Sequence, residues 1–448
     1  MANILLLCAD VITERMAGPA IRYWEFAKTL SKSHKVTLAS PNDHPDTLVP
    51  PPNVELVPHM PENIDALCDN HDVIVFQGNI LEGYERLRRS DKVLVADLYD
   101  PLPLEGLEHH KNGSFDHALE VHDLEVRIIN DQLRLADYVL CASERQRDLW
   151  LGGLMTLRRL NPHNYERADL DHPVVTVPFG IPDFPPKRTG QGLSNLLDNQ
   201  SDFVMLWGGG IWEWFDPLTV IRAVHRLKEE KPGLRMVFLG AKHPNPLIPI
   251  MPMQNEAEKL ARELGLYGKE VIFQEGWVKY DELSNYFLDA NIGISAHFDT
   301  LETYFSFRTR ILHYLWAGKP IITTRGDILA QQVEQYGAGI TVDYESTESW
   351  VQAIRRLSDP SFYEQCVKGV EALAAQYTWS KVTQPLLDIC EKPHRSEDII
   401  LNGSGKRTLQ VYDPEQERDR LQARLDETLN STSWKLTAPI RWLKTRFL

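Results

Sequence analysis

The segment LETYFSFRTRILHYLWAGKPIITT, residues 301–324, gathers residue types that can hold an anion beside a sugar. Glu302 could accept hydrogen bonds from two sugar hydroxyls. Ser306, Arg308, Arg310 and His313 fall in the first turns of a helix expected to begin near Ser306 or Phe307. The first turn of a helix presents unpaired N–H groups to an anion, and arginines there add bidentate donors. The same arginines would equally serve as surface charges paired with nearby acids. Taken alone, His313 fits a partly buried, hydrogen-bonded histidine better than a catalyst.

Three further stretches combine a strand end with a turn. In MAGPAIR (Met16–Arg22), Gly18 and Pro19 open a long helix with Arg22 one turn on, an arrangement suited to a diphosphate. Pro19 at the first helical position would also make an ordinary turn. In VADLYDP a hydrophobic strand ends in Asp97, Tyr99 and Asp100. Carboxylates there could bind sugar hydroxyls or act as bases, and could as well cap the following turn. In LWGGGIWEWFDP, Gly208, Gly209 and Gly210 permit close backbone approach, and Trp212 and Trp214 offer rings for stacking on a sugar or base. The spacing is not GxGxxG, so a redox dinucleotide is disfavoured.

The elements that must position these residues follow from the apolar runs. NILLLCA, KVTLAS, DVIVFQG, KVLVADLYD and YVLCAS alternate with helical patterns, which predicts a parallel sheet covered on both faces. The pattern restarts with DFVMLWGGG, RMVFLGAK, EVIFQEG, NIGISA and KPIITT. The fold class expected is α/β, with two doubly wound Rossmann-like domains facing a cleft. Their expected limits are 1–185 and 186–375, followed by a crossover helix at 376–392, an exposed linker at 393–412 and a helical tail at 413–448.

Composition narrows the function classes. A chain of 448 residues suggests two domains, and 43% hydrophobic with 25% charged residues is ordinary for a globular protein. The net charge of −15 argues against general nucleic-acid binding. Cys8, Cys68, Cys141, Cys366 and Cys390 are scattered without CxxC spacing, which fits core thiols in a reducing compartment. The start MANILLLCADV reads as a first strand rather than a secretory leader. Together these point to a cytoplasmic protein.

The tail differs from the rest. Leu421, Leu425 and Leu429 form a narrow helical stripe within residues 413–430, suited to homodimerisation or to packing on the body. Residues 434–448 interleave Lys435, Arg441, Lys444 and Arg446 with Trp434, Trp442 and Phe447. That mixture suits peripheral attachment to an anionic membrane, and equally docking on a protein surface.

At this point the chain resembles the retaining, nucleotide-sugar-dependent glycosyltransferases of family 4 (GT-B fold, glycosyl transferases group 1) over roughly residues 1–385. The resemblance rests on the first strand, glycine loop and IRYWEFAKTL helix, the VPFGI linker, EGWVKYDELSNYFLDANIGIS, LHYLWAGKPIITT and AAQYTWSKV. It implies a nucleotide-sugar donor on the second domain and a glycan or lipid-linked acceptor on the first. It further implies retention at the anomeric carbon, no cofactor and no metal, and a role in surface polysaccharide synthesis. Gly18 would donate to the diphosphate, and Glu302 would match the first glutamate of the family's pair, holding the transferred sugar. The second glutamate's place is taken by His313, three residues beyond the usual spacing. The glycine loop also lacks the arginine and lysine that many relatives carry, leaving Arg308, Arg310 and Lys242 as available cations. Asp97, Asp100 and Glu213 keep open a GT-B nucleotide-sugar epimerase. The missing glutamate and basic pair keep open a catalytically lapsed module that binds a glycan or a partner.

Overall fold

The apolar runs form strands because they can be buried on both faces, as β1 (Asn3–Leu7) and β5 (Val93–Asp97) are. The computed structural model describes residues 1–165, 173–197, 199, 201–240, 251–274, 276–410 and 414–437. The first sheet adds β2 (Lys35–Ser40), β3 (Val54–Pro58), β4 (Val73–Phe76), β6 (Tyr138–Cys141) and β7 (Val174–Thr176), all parallel, in the order β3-β2-β1-β4-β5-β6-β7. The second comprises β8 (Phe203–Gly208), β9 (Leu234–Leu239), β10 (Val271–Phe273), β11 (Ile292–Ser295), β12 (Ile321–Thr324) and β13 (Gly339–Val342), ordered β10-β9-β8-β11-β12-β13 and also parallel. In each sheet the winding reverses beside the first strand, between β1 and β4 and between β8 and β11. Such reversals open a crevice at the carboxyl ends of the strands, where open α/β sheets bind ligands.

Helices cover the sheets with one apolar face each. Gly18–Leu30 buries Ala20, Ile21, Tyr23, Phe26, Ala27 and Leu30, and Pro217–Leu227 buries Val220, Ile221, Ala223, Val224 and Leu227. Asp216 caps the latter by accepting from the Thr219 N–H at 3.0 Å. The chain then returns to the first domain. Ile181 and Tyr377–Trp379 exchange backbone hydrogen bonds of 2.7 and 2.8 Å, and Trp379 packs edge-on against Phe26.

Three expectations change. The stretch 393–412 is not an exposed linker. It contains an antiparallel hairpin, β14 (Ile399–Leu401) with β15 (Arg407–Leu409). Arg159 donates to Asp398 at 2.8 Å, and Arg407 donates to Asp137 at 2.6 Å and to the carbonyls of Leu135, Ser90 and Lys92. A segment whose Asp398 and Arg407 find buried partners looks like a linker in one dimension and is an anchor in three. The second change concerns Glu302, which sits in a short helix, Leu301–Phe305, rather than a loop. Extended backbone at Ser306 ends that helix, and the next spans Arg310–Trp316, so Ser306 and Arg308 precede it. Third, in the tail helices Pro414–Asn430 and Thr432–Leu436, Leu421, Leu425 and Leu429 stay exposed, so the leucine stripe is not buried against the body, and Trp434 is exposed as well. Lys242 and residues 438–448, which hold Arg441, Trp442, Lys444, Arg446 and Phe447, lie outside the described residues.

Candidate functional site

The two crevices face each other and enclose a cavity of about 600 Å³. The first domain contributes Met16–Pro19, Gln77, Gly78 and the strand end Asp97–Asp100. The second contributes Gly208–Gly210, Trp212, Trp214, Ser306–Arg310 and His313. Bridges across the cleft set the spacing. Gln146, fully buried, donates from Nε2 to the carbonyls of Tyr99 at 2.7 Å and Phe305 at 2.8 Å. At the other end, Trp277 Nε1 donates to the Met16 carbonyl at 3.0 Å and Arg15 Nε to the Trp277 carbonyl at 2.8 Å.

Sequence and local geometry explain the glycine loop. The Gly208 N–H donates to the Tyr314 hydroxyl at 2.8 Å, and that hydroxyl donates to the Ile294 carbonyl at 2.8 Å. Tyr314 reaches there only because Gly293 has no side chain; a Cβ at Gly293 would stand 2.0 Å from the ring. Gly209 has φ +109°, a conformation that side-chain-bearing residues rarely adopt. Tyr314 reads in the sequence as mere packing, and no signal marks it as the pin of this loop.

The arginines sit beside the loop. Arg310 donates from Nη2 to the Gly210 carbonyl at 2.8 Å and lies over Phe215, 3.9 Å from its centroid, and over Trp207. Its Nη1 is buried without a partner. Burial, with the like charge of Arg308 adding, lowers its pKa to about 9, so an arriving anion would stabilise it. Arg308 is held end-on by Glu302 through bonds of 2.8 and 2.6 Å, with Thr303 at 3.2 Å, and its Nε has no partner. Buried donors with nothing to bind are uncommon and need an explanation. His313 lines the same cavity against Phe287, and burial lowers its pKa to about 4, so it is neutral.

Several expected site residues take other roles. Arg22 is fully buried and does not face a diphosphate. It donates from Nε and Nη2 to Asp97 at 2.7 and 2.8 Å, and to the carbonyls of Val177 and Pro178. Asp97 is held by the same pair, each of its oxygens accepting from Arg22. Glu302 is 1% exposed and grips Arg308, so it does not reach a sugar as a bare carboxylate. Trp214 is packed between Trp212, stacked at 5.5 Å and 3°, and Phe215, which makes it part of an aromatic stack; Trp212 is half-buried beside it. Gly18 opens the helix without a side-chain cap and lines the cavity, as do Gly208, Gly209, Gly210, Ser306 and Asp100. Glu105 and Gln132, which the sequence did not single out, line it too.

Residues 202–359 match the model of the family described as glycosyl transferases group 1. Among solved structures, sucrose-phosphate synthase from Thermosynechococcus elongatus superposes with a TM-score of 0.62 at 15% identity, covering 88% of this chain and 99% of that one. HepE of Anabaena, in complex with UDP-glucose, gives 0.63 at 15% identity, over 87% and 100% of the chains. An E. coli trehalose-6-phosphate structure bound with UDP-2-fluoro glucose gives 0.62 at 11% identity, over 88% and 100%. No curated protein matches the chain by sequence. The two facing doubly wound domains are the GT-B fold, and residues 202–359, in the second domain, are similar to the glycosyl transferases group 1.

Proposed function

We propose that this glycosyltransferase moves a sugar from a nucleotide-sugar donor to a glycan or lipid-linked acceptor, with retention at the anomeric carbon. The observation that carries the reading is the pair of buried, unpartnered donors, Arg308 Nε and Arg310 Nη1, beside the glycine loop. Breaking the bond between the anomeric carbon and the diphosphate sends its electron pair to phosphate, and charge developing there needs fixed donors. The two arginines would supply them, with the N–H groups of the glycine loop and of the Gly18 helix end. The acceptor hydroxyl then attacks from the face the diphosphate leaves, and its proton passes to the departing phosphate.

Likeness to structures that hold UDP-glucose and UDP-2-fluoro glucose supports a uridine nucleotide as the first donor to try. Trp212 would stack on the base or sugar, and neutral His313 would hydrogen-bond the ribose. Glu302 acts through Arg308 rather than on the sugar. Among the described residues no helix is long and apolar enough to cross a membrane. For a lipid-linked acceptor, residues 434–448 would hold the enzyme on an anionic cytoplasmic membrane face, and the exposed leucines of 413–430 would pair two copies. The reaction would serve surface polysaccharide synthesis.

The test is calorimetric binding of UDP, GDP and dTDP, together with donor hydrolysis and transfer across the matching sugars. One nucleoside diphosphate should bind clearly, with hydrolysis of its sugar. Free interconversion of the nucleotide sugar would point to an epimerase instead, and the absence of both binding and turnover to a lapsed module.

A further inference from the structure

Arg145 and Gln146 open the first-domain helix Glu144–Thr156 behind its Ser143 cap, and neither lines the cavity. A cation in the first turn of a helix works against the helix dipole, so Arg145 needs another reason to stand there. Its guanidinium reaches across to the second domain. Nη1 donates to the carbonyls of Tyr304, at 3.1 Å, and of Gly326, and Nη2 donates to Gln331 Oε1 at 3.2 Å. Its Cζ lies over the Tyr304 ring, 4.3 Å from the centroid. Gln146 takes the next carbonyl, Phe305, while its Oε1 accepts from the Ala142 N–H at 2.7 Å and fixes the amide. Tyr304 and Phe305 end the helix Leu301–Phe305, and the last carbonyls of a helix have no partner within it. Five residues are too few to hold a helix alone, and the Thr300 cap serves only the other end. That helix carries Glu302, which grips Arg308. Gly326 precedes Asp327, whose Oδ1 caps Ile328–Tyr336 by accepting from the Leu329 and Ala330 N–H groups at 2.8 and 2.9 Å. Burial pushes the Asp327 carboxyl up to about 6, with the nearby Arg308 charge opposing. The two segments meet at Gly326, where φ is +118° and a Cβ would stand 3.2 Å from the Thr303 methyl.

We propose that Arg145 and Gln146 are positioning residues for the donor diphosphate. From the first domain they fix the C-terminal end of the Glu302 helix, and through Glu302 the angle at which Arg308 presents its unpartnered Nε. Arg145 also ties down the Gly326 turn behind the same arginine. The donor's arginine is thus mounted on the second domain and aimed from the first. The inference rests on the glycosyl-transfer reading for what Arg308 binds, and adds which residues set that binding without touching the ligand.

The experiment is a calorimetric cycle on the full chain, run with whichever of UDP, GDP and dTDP the parent binds, on Arg145→Ala, Arg308→Ala and the double variant. Arg145→Ala should weaken the nucleoside diphosphate by about 3–10-fold, the worth of one hydrogen bond. Arg308→Ala removes the group through which Arg145 acts, so adding Arg145→Ala to it should change affinity by less than about 2-fold. A residue that merely supported the fold would weaken both backgrounds alike. Arg145→Lys keeps the charge but not the fork that spans Tyr304 and Gly326, and should stay within about 2-fold of Arg145→Ala. Gln146→Met, of similar volume, should repeat the Arg145→Ala pattern in both backgrounds, and it carries the cycle if Arg145→Ala does not fold. Equal losses in the two backgrounds, full recovery by lysine, or unchanged affinity in the single variants overturns the positioning role and leaves the transfer reading standing. A parent that binds none of the three nucleotides overturns the transfer reading and the proposal with it.

Discussion

Each domain buries one arginine against one carboxylate near the cavity, and the two pairs differ in a single nitrogen. Arg22 engages Asp97 side-on, through Nε and Nη2, and spends its remaining donors on the carbonyls of Val177 and Pro178, between the rings of Phe26 and Tyr99. Arg308 engages Glu302 end-on, through Nη1 and Nη2, which leaves Nε without a partner at the cavity. The first pair is complete and can only hold structure. The second is incomplete and keeps a donor for the anion proposed above. What separates scaffold from site here is the hydrogen-bond inventory of the guanidinium, not its burial or its charge.

The largest effect should come from breaking the complete pair. Arg22→Ala leaves Asp97 buried and uncompensated, which typically costs about 3–5 kcal/mol. It should appear as a lower urea midpoint and melting temperature. Changing both partners, Arg22→Met with Asp97→Leu, should recover most of that loss, since an apolar pair of similar volume is often neutral or better. If Arg22→Ala melts like the parent and instead abolishes UDP binding, the assignment of the two pairs is reversed.

Next comes the open side. Arg310→Ala removes a charged donor that has a free nitrogen, and should weaken UDP by about 10–100-fold, as for loss of a hydrogen bond worth about 1.5–3 kcal/mol. A dissociation constant within about 2-fold of the parent's, read by calorimetry, would remove Arg310 from the diphosphate site.

Glu302 gives a smaller and more discriminating test. Family resemblance makes it the residue that holds the transferred sugar, so Glu302→Gln would spare UDP binding and cost turnover. The buried grip on Arg308 gives the opposite split. The amide holds Arg308 more weakly, so UDP affinity should fall by about 3–10-fold and turnover in step. Unchanged UDP affinity with lost turnover would return Glu302 to the sugar.

These pairs also mark where sequence reading stops. Both sheets and the two glycine loops were legible, because apolar runs and glycines state their local conformation directly. The pairs were not: Arg22 and Asp97 are far apart in sequence and belong to different elements, and a charged residue reads as solvent-facing until the fold supplies its partner. The same holds for Arg407 with Asp137, which turned an expected linker into a docked hairpin. Gln132 and Glu105 lie on helices whose pattern shows only an apolar face, so nothing local announced them. Arg308, Arg310 and the 208–210 loop line one cavity, and they stand out in the sequence because an arginine-rich entry to a helix and a glycine run after a strand are local signals.

The smallest effect concerns whether the open site holds two cations or three. His313 is buried in the same cavity, and a pKa lowered to about 4 keeps it neutral. The folding linkage follows from that sign. Neutral His313 is favoured in the folded state, so its contribution is complete above the unfolded value near 6.5 and is lost as pH falls toward 4. Binding should therefore gain no third charge between pH 8 and 6. His313→Asn should shift UDP affinity by about 3-fold or less, the worth of a modest hydrogen bond, and its pH curve should run parallel to the parent's. A parent curve that steepens below 6.5 and flattens in the variant would mean that the diphosphate draws a proton onto His313. The incomplete arginine pair would then be part of a triad, and the second domain would differ from the first by two groups rather than one.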